Sequence, residues 1–346
     1  MKTVFALVVS ILAFSAVAAE LDMDLLKAIG DDRTRWVAHS RGAEARECFR
    51  IVDNDGKPVT NASVRCAFKV GAGASGLQDV YDVTDTNGLC TINGMCKAYM
   101  DYSVVKDGYY CSHGKVDYME TTRVPAVIDG KWQPYGEART VVLKRIRTPI
   151  SIGEFGLCSM PIPAYDEWVG FDFGKRMWTP PYGDGRFADV LLRFGRSLVD
   201  RQTDFKMTMD VSFTNNPHAG CYQVKYEEFS ERKNVYHADV SAVYTSEMNY
   251  VQERHPGSPR NDNRIGWDSY LVFRTRTRVD EDGKLVSAHY GIIGGCWSFY
   301  GTMLSGGYLF NPTPNDTNLE DAETARLSRL GYKQRMDFER SRKVMP

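Results

Sequence analysis

Apolar and polar positions along this chain alternate with a period of two far more often than with the helical 3.6, which is the pattern of half-buried strands. Val64, Cys66, Phe68 and Val70 alternate with Arg65, Ala67 and Lys69, and Phe205, Met207, Met209, Val211 and Phe213 alternate with Lys206, Thr208, Asp210 and Ser212. Further strands are expected at Cys48 to Val52, Tyr102 to Val105, Val141 to Ile146, Tyr270 to Val279 and Leu285 to Ile293. Turn residues that tolerate positive φ separate them: Asp53-Asn54-Asp55-Gly56, Asp85-Thr86-Asn87-Gly88 and Asp280-Glu281-Asp282-Gly283. Helical spacing is rare. Leu21, Leu25 or Leu26, and Ile29 predict a short amphipathic helix ended by Gly30, and the polar run from Asp31 to Arg46 reads as a linker. Near the end, Asp316 or Thr317 is the expected cap of a helix through Leu319, Ala322, Arg326 and Leu330, stopped by Gly331 and followed by a charged tail.

The first residues have a different pattern. Lys2 precedes an apolar run, Val4 to Phe14, and then the small residues Ser15 to Ala19. This is the order of a secretory signal peptide, with Ala16 and Ala18 at A-x-A spacing and cleavage expected near Ala19 or Glu20. The run is too short for a bilayer span of about 20 residues, and no later stretch is as apolar, so no transmembrane segment is expected in the mature chain. Export to the periplasm, the cell surface or the exterior follows.

Order and motif then bring in a family. The run Ile51-Val52-Asp53-Asn54-Asp55-Gly56-Lys57-Pro58-Val59 leads into Asn61-Ala62-Ser63-Val64, followed by Thr84-Asp85-Thr86-Asn87-Gly88 and by Tyr102-Ser103-Val104-Val105-Lys106-Asp107-Gly108-Tyr109. These three landmarks, in this order, resemble the opening hairpin, the T-D-x-x-G turn and the Y-x-V-x-x-x-G-Y strand of carboxypeptidase-regulatory-like domains. The resemblance covers residues 47–147 and implies a seven-strand, transthyretin-like sandwich of accessory character. Five cysteines inside the domain and a Trp- and Pro-containing stretch at Arg123 to Tyr135 depart from the family pattern. Related pilin domains carry a Lys–Asn isopeptide bond, but no Lys lies between Cys48 and Val52, so none is expected.

Thr148-Pro149 marks the expected boundary. The segment from 148 to 315 carries strand patterning without a long amphipathic helix, so a second antiparallel sandwich or barrel is expected there. It resembles only the C-terminal halves of exported bacterial proteins of unassigned function. The fold class is thus all-β, in two domains.

Composition narrows the function classes. Of 346 residues, 43% are hydrophobic, enough for packed cores, and the net charge of −1 argues against a nucleic-acid partner. Eight cysteines in an exported chain read as disulfides. Cys66 and Cys90 fall on core-facing positions of the family pattern, as a bridge or as two buried thiols. Cys221 with Cys296 is the expected pair of the second domain, and Cys158 invites a cross-domain bridge. No spacing of Cys and His matches a zinc site, and the three Asp-Gly turns lack the oxygen series of a calcium loop, so no metal or cofactor is expected.

Six scattered histidines fit no catalytic motif. Arg274, Arg276 and Arg278 alternate along one strand, as an anion-binding stripe or a solvated face. Trp178-Thr179-Pro180-Pro181-Tyr182-Gly183 reads as a loop that offers Trp178 and Tyr182 for stacking on sugar rings. The candidate binding residues are therefore Trp178, Tyr182, Arg274 and Arg276. The expected function is an exported non-enzymatic protein that binds a polysaccharide or another envelope protein, or builds an envelope assembly. The alternative is a polysaccharide hydrolase using carboxylates such as Asp166, Glu167, Glu227, Glu228 and Asp239.

Overall fold

The computed structural model describes residues 23–71, 76–156, 160–200, 202–213, 217–226, 235–265, 268–294 and 297–343. The leader, Cys158, Glu227, Glu228, Trp267 and Cys296 lie outside the described residues. Among the described residues the protein is mostly β. It divides into two compact units, with the break between Arg145 and Ile146 and the chain from Ser328 onward grouped with the first.

The first unit opens with two short helices, α1 (Met23–Asp31) and α2 (Arg33–Arg41). The expected linker is thus replaced by a second helix and the start of a strand. Asp32 caps α2 by accepting from the Thr34 N–H at 3.0 Å. Arg35 anchors the helix, donating from Nη1 and Nη2 to the carbonyls of Met119 and Thr121 at 2.6 and 2.8 Å. Strand β1 (Ala43–Asp53) follows at once. Its inward positions are Ala43, Ala45, Glu47, Phe49 and Ile51. Two alanines and a glutamate give a weak hydrophobic signal. Glu47 is tolerated inside because the Tyr118 hydroxyl donates to it at 2.8 Å, although burial pushes its pKa up.

Two sheets make this unit. One has the order β4 (Leu89–Cys96), β1, β8 (Lys131–Trp132), β7 (Val127–Ile128), with β9 (Ala138–Leu143) also on β1. The other runs β3 (Leu77–Val83), β2 (Ser63–Lys69), β5 (Tyr99–Val105), β6 (Ser112–Asp117). The second sheet is antiparallel throughout, whereas β9 lies parallel to β1. The Trp- and Pro-containing stretch supplies β7 and β8, and it inserts Trp132 into the core, stacked on Tyr118 with ring centroids 5.5 Å apart.

The motif landmarks have physical reasons. The buried Thr84 hydroxyl donates to the Val59 carbonyl at 2.6 Å and accepts from the Ala62 N–H at 2.9 Å, tying the turn to the first hairpin. Asp85 accepts from the N–H groups of Asn87 and Leu89. Gly88 sits at φ +72, where a Cβ would stand 2.4 Å from the Ile51 carbonyl oxygen. Asp53 and Asp280 take backbone N–H groups in the same way, from Asp55 and Lys57 and from Asp282 and Lys284. The calcium-like fragments are therefore turns whose leading carboxylates already have donors.

In the second unit, a six-stranded sheet has the order β13 (Met177–Trp178), β12 (Trp168–Asp172), β14 (Val190–Asp200), β15 (Asp204–Ser212), β17 (Glu247–Arg254), β18 (Asn261–Asp262). A five-stranded sheet has the order β10 (Gly153–Gly156), β23 (Gly307–Phe310), β20 (Leu285–Ile293), β19 (Ser269–Val279), β16 (Gly220–Lys225). A small sheet of β11 (Met160–Pro161), β22 (Met303–Ser305) and β21 (Ser298–Tyr300) completes it. Phe171, Phe173 and Phe194 from one large sheet and its flank meet Phe273, Tyr308 and Phe310 from the other in one core. The far face of the five-stranded sheet is buried too, with Tyr270, Val272, Tyr290 and Leu319 in a separate cluster. The predicted hairpin around Asp280 to Gly283 forms between β19 and β20.

Helix α3 (Ala322–Lys343) starts later than expected and runs through Gly331. Asp321, not Asp316 or Thr317, is its cap, accepting from the Thr324 N–H at 2.8 Å. Asp316 instead accepts from the Asn318 N–H at 2.9 Å in a local turn.

Candidate functional site: an arginine-lined pocket

At Thr275–Arg278 the register between β19 and β20 shifts: Thr275 faces His289, but Arg278 faces Ser287. Three steps on β19 thus match two on β20, and the extra residue is a bulge. Arg276 occupies it with φ +50. The bulge turns two consecutive side chains the same way. Thr275 and Arg276 both reach Asp189, whereas Arg274 and Thr277 reach the carbonyls of His218 and Pro217 on the other face. The expected stripe of Arg274, Arg276 and Arg278 is therefore split, because one inserted residue inverts the alternation.

Asp189 precedes β14 and is fully buried. Its Oδ1 accepts from Arg276 Nε at 2.8 Å, and its Oδ2 accepts from Arg276 Nη2 and the Phe173 N–H, each at 2.8 Å. Burial pushes its pKa up, and the two-pronged Arg276 contact offsets that only in part. With both oxygens taken by donors, it serves as an ionised acceptor. Asp172, the last residue of β12, accepts from Arg276 Nη2 at 2.9 Å, from the Lys175 N–H at 2.9 Å, and from the N–H groups of Arg186 and Phe187 at 2.8 and 3.1 Å. Burial alone would raise its pKa, but these donors and the Arg276 charge hold it below the usual carboxylate value.

Beside this triad, whose two carboxylates are buried and whose arginine is half-buried, lies a pocket of about 490 Å³, within the ordinary range of small-molecule sites, about 300–1,000 Å³. Arg186, Phe187, Arg276, Arg278, Ser287 and His289 are among its walls. The Arg276 guanidinium lies 4.3 Å from the Phe187 ring centroid and 4.8 Å from that of Phe310. The His289 ring is parallel to Phe310 within 14°, centroids 5.7 Å apart. Burial depresses the His289 pKa, the neighbouring Arg276 and Arg278 charges add to that, and the Asn311 carbonyl and Asp189 oppose it. The imidazole is therefore neutral at neutral pH. Arg186 and Arg278 are exposed at the rim and have no side-chain hydrogen bond or ion pair among the described residues. Two carboxylates against Arg276 leave one negative charge; the two rim arginines make the whole site net positive by one.

Of the four binding residues expected from sequence, only Arg276 belongs to this pocket. Trp178 is not on an exposed loop. It is 7% exposed on β13, packed edge-on against Phe171 and Phe194, and donates its indole N–H to the Pro161 carbonyl at 3.1 Å. Pairing of β13 with β12 turns the ring inward, where its apolar body is best placed. Tyr182 is 37% exposed and donates to Glu167. Arg274 is buried and lies 3.9 Å from the Tyr244 ring centroid.

Asp189, Asp172, His289, Phe187 and Arg186 were not singled out from sequence. A signal existed for the acids: Asp172 sits in Val169-Gly170-Phe171-Asp172-Phe173 and Asp189 in Ala188-Asp189-Val190-Leu191-Leu192. A carboxylate inside an apolar strand run is a buried charge that needs a partner. By contrast, Asp239 accepts from the backbone and hydroxyl of Ser241 in a local turn, and Glu167 takes Tyr182.

Of the two readings open for Cys66 and Cys90, a bridge or two buried thiols, the structure has the second, with both free and buried. The Cys90 thiol points to Asp82 at 3.6 Å, and Asp82 stands opposite Val64, two residues short of Cys66. Cys221 is also a free thiol, 3.4 Å from the Met248 sulfur, and its expected partner Cys296 lies outside the described residues.

No family model matches the chain, and no curated protein matches it. Among solved structures it has likeness to 3-chlorocatechol 1,2-dioxygenase from Rhodococcus opacus 1CP, with 13% identity, TM-score 0.24, 30% of this chain and 61% of that one covered. Catechol 1,2-dioxygenase from Acinetobacter sp. ADP1 gives 17% identity and TM-score 0.23 over 31% of this chain and 54% of that one. A streptococcal ancillary pilin gives 10% identity and TM-score 0.18 over 81% and 63%. Each alignment spans less than two thirds of the other chain, and likeness this low assigns no activity.

Proposed function

We propose that this is an exported, non-enzymatic binding protein whose recognition site is the arginine-lined pocket of the second unit, with the first unit a carboxypeptidase-regulatory-like accessory sandwich. One observation carries the reading: two unpaired guanidiniums, Arg186 and Arg278, converge with Arg276 on one pocket whose carboxylates are already saturated. Saturated carboxylates are poor general acids or bases, because each proton-transfer position is occupied by a donor from the protein. An arginine-rich wall instead suits an anion, which guanidinium forks bind through paired N–H donors. Of the carboxylates named for the hydrolase alternative, Glu167 accepts from Tyr182 and Asp239 from Ser241, whereas Glu227 and Glu228 lie outside the described residues.

The test is isothermal titration of the purified chain with sulfate, citrate and dextran sulfate at low ionic strength. Saturable binding is expected for at least one, and it is lost in Arg186→Ala/Arg278→Ala, whose melting temperature stays near that of the parent. Silence from every anionic probe would sink the reading.

A further inference from the structure

We infer that the ligand of this pocket is a carboxylated sugar, the uronate-type residue of an acidic glycan, with Phe187 as its stacking platform. The inference rests on the anion-pocket reading and adds the ligand class.

Phe187 is the starting observation. It is 52% exposed beside a charged pocket, and one ring face is covered by the Arg276 guanidinium at 4.3 Å. The remaining surface of the ring is open. The backbone that carries the ring is anchored, because the Phe187 N–H donates to the buried Asp172 at 3.1 Å, and the ring itself rests on the Arg276 guanidinium. A fixed, solvent-facing aromatic with a cation behind it offers an apolar plane at the mouth of a cationic site. A pyranose ring presents a matching apolar face of C–H groups.

The neighbouring groups fit the rest of such a ligand. The rim guanidiniums of Arg186 and Arg278 match a planar carboxylate with paired N–H donors. Ser287 and His289 line the same pocket, and the Ser287 hydroxyl and His289 Nε2 have no hydrogen bond among the described residues, which leaves them free for ring hydroxyls. Free phosphate or sulfate would use the arginines and could take hydrogen bonds from Ser287 and His289, but would leave the exposed Phe187 ring without a role. The pocket walls come from β19, β20, the stretch before β14 and Pro314 after β23, so no helix N-terminus adds the backbone donors found in many phosphate sites. A simple aromatic acid would use Phe187 and the arginines but not the hydroxyl partners.

The experiment titrates the whole mature chain by calorimetry with oligogalacturonate, oligoglucuronate and oligomannuronate. Dextran sulfate, benzoate, inorganic phosphate and methyl-esterified oligogalacturonate serve as comparisons. At least one uronate oligomer should bind, and its methyl ester should bind at least about tenfold more weakly, since the ester removes the charge-assisted contacts. Phe187→Ala should weaken the uronate by about tenfold while changing any sulfate or phosphate binding less than about twofold, and Phe187→Tyr should restore the uronate. Equal binding of sulfated or phosphate probes with no effect of Phe187→Ala would overturn the sugar assignment and leave the anion pocket standing. Preference for benzoate over every uronate would also overturn it. Silence from all anionic probes would remove the pocket reading itself.

Discussion

Arg276 touches two buried carboxylates at once, Asp172 and Asp189, through Nε and Nη2. Removing the guanidinium would leave both acids in the core without a counter-charge, and breaking a buried pair in this way costs about 3–5 kcal/mol. Arg276→Met should therefore lower the unfolding free energy by that much, read as a lower urea midpoint with an unchanged denaturant slope. A loss under about 1 kcal/mol would mean that the acids find other partners. His289 gives the pH prediction. Its pKa is depressed below the ordinary 6.5 by burial and by Arg276 and Arg278, so the native state holds fewer protons than the unfolded chain just below that value. Stability then falls as pH drops through that window. A bound anion reverses the sign at this residue, since it favours the imidazolium. Affinity for an acidic ligand should rise between about pH 7.5 and about pH 5.5 and lose most of that dependence in His289→Asn. A pH-independent affinity in the parent would remove His289 from the ligand's surroundings. None of this was visible in the histidine count, because a lone His has no motif.

Strands were legible in proportion to how apolar their inward positions are. β15 was plain from Phe205, Met207, Met209, Val211 and Phe213. The start of β1 was hidden because Ala43, Ala45 and Glu47 face inward there. β13 was hidden because a two-residue strand has no periodicity to read, so Trp178 passed for a loop residue. The arginine stripe failed for another reason: a bulge leaves no trace in composition, yet it decides which of Arg274 and Arg276 meets the pocket. Strand position also governs the thiols. Cys90 and Cys221 are pushed up to about 12 and Cys96 to about 11, burial being the main cause in each. Such thiols are protonated at about pH 8 and do not attack alkylating reagents. Iodoacetamide should leave Cys90, Cys96 and Cys221 unmodified in the native protein and label all three after denaturation without reductant. If they stay unlabelled in denaturant, they are disulfide-bonded.

For the whole chain, a net charge of −1 means that no long-range field draws an anion in. Any attraction is local to Arg186 and Arg278 at the pocket rim. Local rim charges are exposed, so salt should weaken them strongly as the screening length falls from about 10 Å at 0.1 M to about 3 Å at 1 M. Affinity for an acidic ligand should drop about tenfold or more over that range, and Arg278→Glu should flatten the dependence. A salt-independent affinity would point to an apolar mode of binding through Phe187 instead. The all-β character could be read from turns and alternation, whereas the site could not, since Asp172, Asp189 and Arg276 are brought together from three separate stretches of chain. That triad has a consequence for how the sequence can drift. Its three members are far apart in the chain, yet no single one can change to an apolar residue without stranding a charge. Relatives that share this core should vary at the three positions together or not at all, so linked substitution at 172, 189 and 276 would trace the descent of the pocket even where overall identity has faded.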